Sequence, residues 1–362
     1  MNPFAYQKVF TGVTFAVAAV MGLSRLSSPS DTARQTGSRP LVPLLCCLGL
    51  ILWMGLRPIS DAFGDTVNYA LEYATLDARL IPADWYSEWL WQWIMNLSKV
   101  AGLNVHAFFT LVAAGYVLSA FWALCRFMPR DPVLGTVFLL NSLMFFSFGV
   151  NGLRNGLACH LVLLAMSFLL DDKWGPGALV CIMALGIHRS TLLPIATILV
   201  GRFVFRDIRY LLLFWVASIF LSLTVGPTIE NLFAAIGFDD RMTQYVTLSD
   251  LSEFSQTGFR WDFLLYSAAP VAMAWYVCIH KGLQDNWYNV ICTAYLLCNA
   301  FWIMVIRSAF SNRFAYLSWF LYPLVIAYPL VNMPLREDQD RLTGLILLAY
   351  GGFSAFMWFI FW

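Results

Sequence analysis

The sequence predicts an all-α protein, a polytopic transmembrane bundle of about twelve helices, and three observations carry that prediction. Hydrophobic residues make up 60% of the 362 and charged residues only 12%, against roughly 25% charged in ordinary soluble domains. Long apolar runs recur from end to end with short polar interruptions, and in lipid such runs satisfy their backbone groups as helices. Positive residues also gather in alternate short connections, the positive-inside pattern.

Taken in order, the apolar runs are 5–24, 41–57, 105–126, 132–150, 151–170, 175–188, 190–204, 209–226, 262–280, 287–306, 312–331 and 343–362. The first lacks a charged leader and a small-residue cleavage site and reads as a retained helix, not a signal peptide. A span needs about 20 residues. The two runs flanking His188 are short for that and read as half-helices or a broken pair. No internal repeat or low-complexity linker divides the chain, so one membrane domain over 1–362 is expected.

With the N-terminus outside, the inner connections hold Arg25, Arg34, Arg39, Arg126, Arg130, Lys173, Arg202, Arg206, Arg209, Lys281, Arg336 and Arg341, residues with little else to do. The outer ones hold Arg57, Arg79, Lys99, Arg154, Arg189, Arg241, Arg260, Arg307 and Arg313. Most of these lie at or inside helix ends beside His, Asp, Asn and Tyr. Two outer segments are long and read as caps, about 58–104 and 227–261. The first contains Asp61, Asp65, Tyr69, Tyr73, Asp84, Glu88 and the tryptophan-rich run 85–93. Residues 85–100 read as a helix lying in the membrane interface. The second ends in Gly258-Phe259-Arg260-Trp261-Asp262.

Net charge is +1, which says nothing about nucleic acid, and no basic tract of the kind that binds it is present, so no nucleic-acid partner is expected. The eight cysteines lie at 46, 47, 125, 159, 181, 278, 292 and 298. Without paired spacing they give neither a disulfide framework nor a metal site.

The chemistry concentrates around residues 148–158. If this stretch is helical, Asn151, Arg154 and Asn155 share one face, with Gly152 and Gly156 leaving room for another backbone or a ligand. A charge at membrane depth costs about 2.5–3.5 kcal/mol on insertion scales, so it marks a partner or a polar cavity. His188-Arg189-Ser190 interrupts two short helices, a break tolerated where it lines a cavity. Asn312 and Arg313 begin a late helix. Arg260 and Asp262 pair with each other or serve the site, and Arg57 marks a helix boundary. Asp65, Tyr69 and Tyr73 fall on one face if 64–75 is helical. Glu88 is either a site carboxylate or the solvated face of its helix. His160 reads as structural, and His106 and His280 as loop or helix-end residues. Several guanidinium groups, one or two carboxylates and a histidine suit an anionic, phosphate-bearing ligand and the charge that develops on a pyrophosphate leaving group.

Asn151-Gly-Leu-Arg154-Asn-Gly-Leu-Ala158, then Gly186-Ile-His188-Arg-Ser190, with the preceding Asp65/Tyr69/Tyr73 segment and the late Asn312-Arg313, resemble the EpsG-like family of bacterial polysaccharide polymerases. That family is broadly similar to the Wzy-type O-antigen polymerases. The resemblance runs over about residues 55–330. It implies a glycosyltransferase of the GT-C type in the bacterial inner membrane, its site facing outward. The implied donor is a glycan on undecaprenyl pyrophosphate and the acceptor another lipid-linked repeat unit. No cofactor, metal or nucleotide sugar is expected, and a chain-length-regulating partner is suggested. On this reading Arg154, Arg189 and Arg313 hold pyrophosphate, Asn151 and Asn155 orient it, and Asp65, Glu88 or His188 takes the acceptor proton, Asp65 first among them. Arg260, Asn312, Tyr69 and Tyr73 contact substrate, and the aromatic runs 85–93 and 259–261 stack on sugars. The rival readings are a flippase of the same units, a membrane acyltransferase that modifies glycans, and a non-catalytic assembly partner.

Overall fold

The structure is a computed structural model that describes residues 2–27, 41–81, 88–205, 207–236, 258–308 and 311–361. Arg34, Arg39, Asp84, the start of the tryptophan-rich run at 85–87, Arg206, Arg241 and most of the second cap lie outside these residues. Among the described residues every regular element is a helix. Eight helices are long and apolar enough to cross a membrane, and Leu44–Gly55 and Trp174–Ile187 are shorter apolar ones. The protein is membrane-embedded and polytopic.

In chain order, α1 is Pro3–Ser27, α2 Leu41–Gly55, α3 Thr66–Thr75, α4 Trp89–Val100 and α5 Val105–Phe127. There follow α6 (Pro132–Leu140), α7 (Phe145–Val150), α8 (Leu153–Leu170), α9 (Trp174–Ile187), α10 (Leu192–Phe203) and α11 (Arg209–Ile236). The remainder are α12 (Trp261–Trp275), α13 (Asn286–Met304), α14 (Ser311–Trp319), α15 (Tyr322–Asn332) and α16 (Gln339–Phe356). Each expected apolar run contains a helix. The corrections are at breaks. Run 132–150 is two helices, 312–331 parts at Phe320–Leu321, and 209–226 continues past Pro227 with a kink at Val225.

The break between α6 and α7 satisfies the groups it frees, as membrane depth requires. Asp131 caps α6 by accepting from the Leu134 amide at 2.9 Å. At its far end Asn141 Nδ2 donates to the carbonyls of Val137 (2.9 Å) and Thr14 (3.1 Å). The Asn141 carbonyl accepts from Ser354 Oγ at 2.6 Å. A second break, at Asn151–Gly152, ends α7 before α8 begins. This break lies beside the expected boundary between runs 132–150 and 151–170, and Asn151 falls outside α8, so it does not share a helix face with Arg154 and Asn155.

The chain forms two compact units, Met1–His188 with Ala327–Trp362, and Arg189–Ile326. In the first, α1 packs on α16, α2 on α5, and α8 on both α5 and α9. One end of this unit is tied by ions: Arg25 reaches Asp131 (2.5 Å) and Asp340 (2.9 Å), and Arg126 reaches Asp171 at 2.9 Å. These residues, expected to be topogenic only, also join helix ends. The Lys173 and Arg126 hydrogen bonds hold the Asp171 carboxyl below the usual carboxylate range. In the second unit, α13 packs against α10, α11, α12 and α14 around a buried polar knot. Asn299 accepts from Trp215 Nε1 (2.7 Å) and donates to Ser267 Oγ (3.2 Å) and Ser318 Oγ (2.9 Å).

The room beside Gly156 is filled by protein: a Cβ there would collide with the Phe148 carbonyl oxygen. Gly156→Val is therefore expected to cost at least about 1–3 kcal/mol, because backbone rather than a movable side chain obstructs it. The loss would be read as a lower temperature at which the purified protein stops eluting as a monodisperse peak. An unchanged temperature would refute the close approach.

Candidate functional site

At the opposite end of the first unit from its ionic ties, three stretches bring an arginine, a glutamate and a histidine together. Arg154 lies in the first turn of α8, Glu88 immediately precedes α4, and His188 ends α9 in extended backbone. Arg154 Nη1 donates to Glu88 Oε2 at 2.6 Å, and His188 Nδ1 meets Glu88 Oε1 at 2.7 Å. A carboxylate only accepts, so Nδ1 carries a proton and donates to Glu88. The side chains are 19%, 16% and 9% exposed respectively, sheltered enough to strengthen their electrostatics and open enough for a ligand to touch them.

Local structure fixes this meeting. Glu88 adopts the left-handed conformation (φ 44°, ψ 46°), unusual for a residue with a Cβ and typical of sites that store strain. Its neighbour Trp89 lies on the backbone of α9 at Gly186, where a Cβ would stand 2.6 Å from the indole Cε2. Gly186 thus lets α4 approach α9 two residues before His188. The signal was present in the glycine of Gly186-Ile-His188, but only the fold reveals which ring it admits.

Tyr69 of α3 completes the cluster. Arg154 Cζ lies 5.7 Å from the Tyr69 ring centroid, and that ring meets Trp91 edge-on at 5.6 Å. Arg154 Nε is buried with no hydrogen-bond partner among the described residues. With one nitrogen held by Glu88 and the side chain still 19% exposed, the guanidinium can meet an oxyanion without releasing its carboxylate.

Asp65 stands one turn before Tyr69, at the head of α3. Its amide donates to Asn151 Oδ1 at 2.8 Å, and its carboxylate accepts from Asn68 Nδ2 at 3.4 Å. Gly64 has φ +56°, and a Cβ on it would stand 2.5 Å from Asn151 Oδ1. Asn151 therefore shapes the turn presenting Asp65. Asn155 is buried and accepts from Cys159 Sγ at 3.2 Å. Tyr73 is buried too, its hydroxyl donating to the Leu103 carbonyl at 2.8 Å and its ring stacked on Phe108. Burial pushes its phenol up, keeping it a donor. His160 is wholly buried and bonds the Tyr116 carbonyl at 2.7 Å.

Arg57, read from sequence as a boundary marker, is wholly buried. It donates to the carbonyls of Met54 (2.7 Å) and Val150 (3.0 Å) and to Thr66 Oγ1 (3.2 Å). Thr66 is the first residue of α3, so Arg57 ties that helix to the end of α7. An arginine directly before Pro58 was the available sequence signal.

The remaining expected residues belong to the second unit. Arg189 is exposed in the short 3-10 turn Arg189–Thr191. Asn312 and Arg313 are half-buried in the first turn of α14. Arg260 is paired with Asp262 through contacts of 2.9 and 2.6 Å, the plainer of its two expected roles. In the same unit Arg307 Nη1 donates to the Ser222 carbonyl, and its amide donates to Glu230 Oε1 at 3.1 Å.

Compared with protein-family models, residues 42–362 match the model of the EpsG family. No curated protein and no solved structure matches the chain.

Proposed function

The chain belongs to the EpsG family, and on that premise we propose that it polymerises a surface polysaccharide from lipid-linked repeat units at the outer face of a bacterial inner membrane. The observation that carries this reading is Glu88 bridging Arg154 and His188. In the reaction an acceptor hydroxyl oxygen bonds to the anomeric carbon of the donor glycan. The bond from that carbon to the pyrophosphate oxygen breaks, and the lipid pyrophosphate departs with the electron pair. Negative charge grows on the leaving group, and the hydroxyl proton must be taken up. Arg154 supports the first need, since a guanidinium stays charged and fits phosphate oxygens. The Glu88–His188 pair supports the second. With Nδ1 held by the carboxylate, proton transfer runs through Nε2, and Glu88 stabilises the imidazolium that results. Asp65, expected from sequence to be the base, is read instead as a substrate contact beside Tyr69. Asn151 acts through Asp65 rather than on pyrophosphate.

Glu88→Gln tests this assignment by keeping the shape and removing the charge. Polymer formed by the purified protein from lipid-linked units should fall by about 10²-fold or more. Wild-type rates would remove Glu88 from the chemistry. In a complemented deletion strain the variant should leave single repeat units at the surface without a ladder. Units trapped inside would favour the flippase, and an intact ladder with altered acylation the acyltransferase.

A further inference from the structure

Away from the charged cluster, a groove of about 430 Å³ opens between α1, α2 and α6. Val9, Val13 and Val17 of α1, Gly49 and Trp53 of α2, and Val137 of α6 line it. The polar residues in its wall are turned to the protein. Thr14 Oγ1 donates to the Phe10 carbonyl at 3.0 Å and Thr136 Oγ1 to the Pro132 carbonyl at 2.8 Å. Asn141 serves the helix break already described. Apart from the Cys46 thiol, a guest would therefore meet apolar surface. From Val9 to Met21 the α1 wall runs about 18 Å at 1.5 Å per residue, over half of a hydrocarbon core about 30 Å thick.

One end of the groove leads to the site. Tyr6 stacks on Trp53 at 4.1 Å and meets Phe63 edge-on at 5.6 Å. Phe63 directly precedes Gly64-Asp65, the turn that Asn151 holds, and Asn151 stands three residues before Arg154. A chain lying in the groove would thus emerge, past aromatic rings suited to the headgroup zone, beside the segment carrying Asp65.

We infer that this groove seats the polyisoprenoid tail of the lipid-linked substrate, with its pyrophosphate end toward Asp65 and Arg154. The inference rests on the polymerase reading for the identity of the head group. An unrelated phospholipid chain could also lie against such a wall. Continuity with the Asp65 turn commits the groove to the substrate, because only a substrate has its head group there.

Gly49 offers the test. A Cβ at this position meets nothing within 4 Å, so Gly49→Phe starts its side chain in open space on the groove wall and narrows the groove. Repeat units would be supplied on a long polyprenyl pyrophosphate and on a tail of one or two isoprenes. The variant should raise KM for the long-tailed donor about tenfold or more, a loss that two buried methylenes already exceed, and leave the short-tailed donor unchanged. Equal effects on both donors, or none, would overturn the inference. In wild type, a polyprenyl pyrophosphate carrying a diazirine on its tail should label α1, α2 or α6 peptides. Labelling elsewhere, or groove labelling by a diazirine phospholipid that polyprenyl pyrophosphate does not displace, would also overturn it. If wild type extends neither donor, the polymerase reading falls, and the labelling alone decides the groove.

Discussion

Arg154→Ala is expected to abolish the polymer ladder while the protein still inserts and purifies. Loss of a donor aimed at developing charge typically costs about 10²–10³ in rate, and Arg154 is the guanidinium that Glu88 holds in place. The competing explanation is structural. Removing one partner of a sheltered ion pair leaves the other uncompensated, at about 3–5 kcal/mol when fully buried and less at the 19% and 16% exposure seen here. The rate per molecule of purified, folded Arg154→Ala separates the two. A scaffold role alone lowers the yield of folded protein and its unfolding temperature but leaves that rate near wild type, whereas loss of the charge-stabilising donor lowers the rate itself. A near-wild-type rate per folded molecule would make Arg154 a scaffold residue, and the charge-stabilising role would fail. Arg154→Lys should not rescue fully, because an ammonium lacks the fork that can serve a carboxylate and an oxyanion together.

The helices were legible because each rests on a local property. Twelve apolar runs needed only their length and composition, and the break at His188 showed in two runs too short to span. Breaks inside long apolar runs were not legible. Nothing in the composition of 132–150 announces that Ser354, more than 200 residues later, will satisfy the Asn141 carbonyl. The same limit governs the site. Arg154 and His188 stood out as polar groups where lipid disfavours them. Glu88 was one of three candidate bases but kept a second reading as a solvated residue, because a carboxylate at the head of an amphipathic helix looks the same whether it faces water or an arginine and a histidine. Asn151 was misplaced for a related reason: a three-residue spacing puts side chains on one face only while the helix continues, and here it ends at Val150.

Arg57 should behave as the opposite of Arg154, although the two look alike in sequence. It is a wholly buried guanidinium bonded to two carbonyls and a threonine hydroxyl. The reason it is stable there lies in what those carbonyls are. Met54 is in the last turn of α2 and Val150 is the last residue of α7, so both oxygens belong to helix C-termini that lack intrahelical donors. Both also stand at the negative ends of helix dipoles. The Phe109 ring, 4.2 Å from Arg57 Cζ, adds a further favourable face. Arg57→Met keeps much of the volume and orphans the Met54 carbonyl, at about 1–3 kcal/mol, while the Val150 carbonyl keeps only the Thr66 Oγ1 hydrogen bond at 2.7 Å and α3 loses its tie to α2. The expected result is loss of most monodisperse protein from detergent extracts, with activity falling in proportion to what remains. Arg57→Lys should recover little, since one ammonium cannot reproduce the planar fork across α2, α3 and α7. Were Arg57→Met to purify at wild-type yield and stability but make no polymer, Arg57 would belong with Arg154 at the site, and its role as a double helix cap would be wrong.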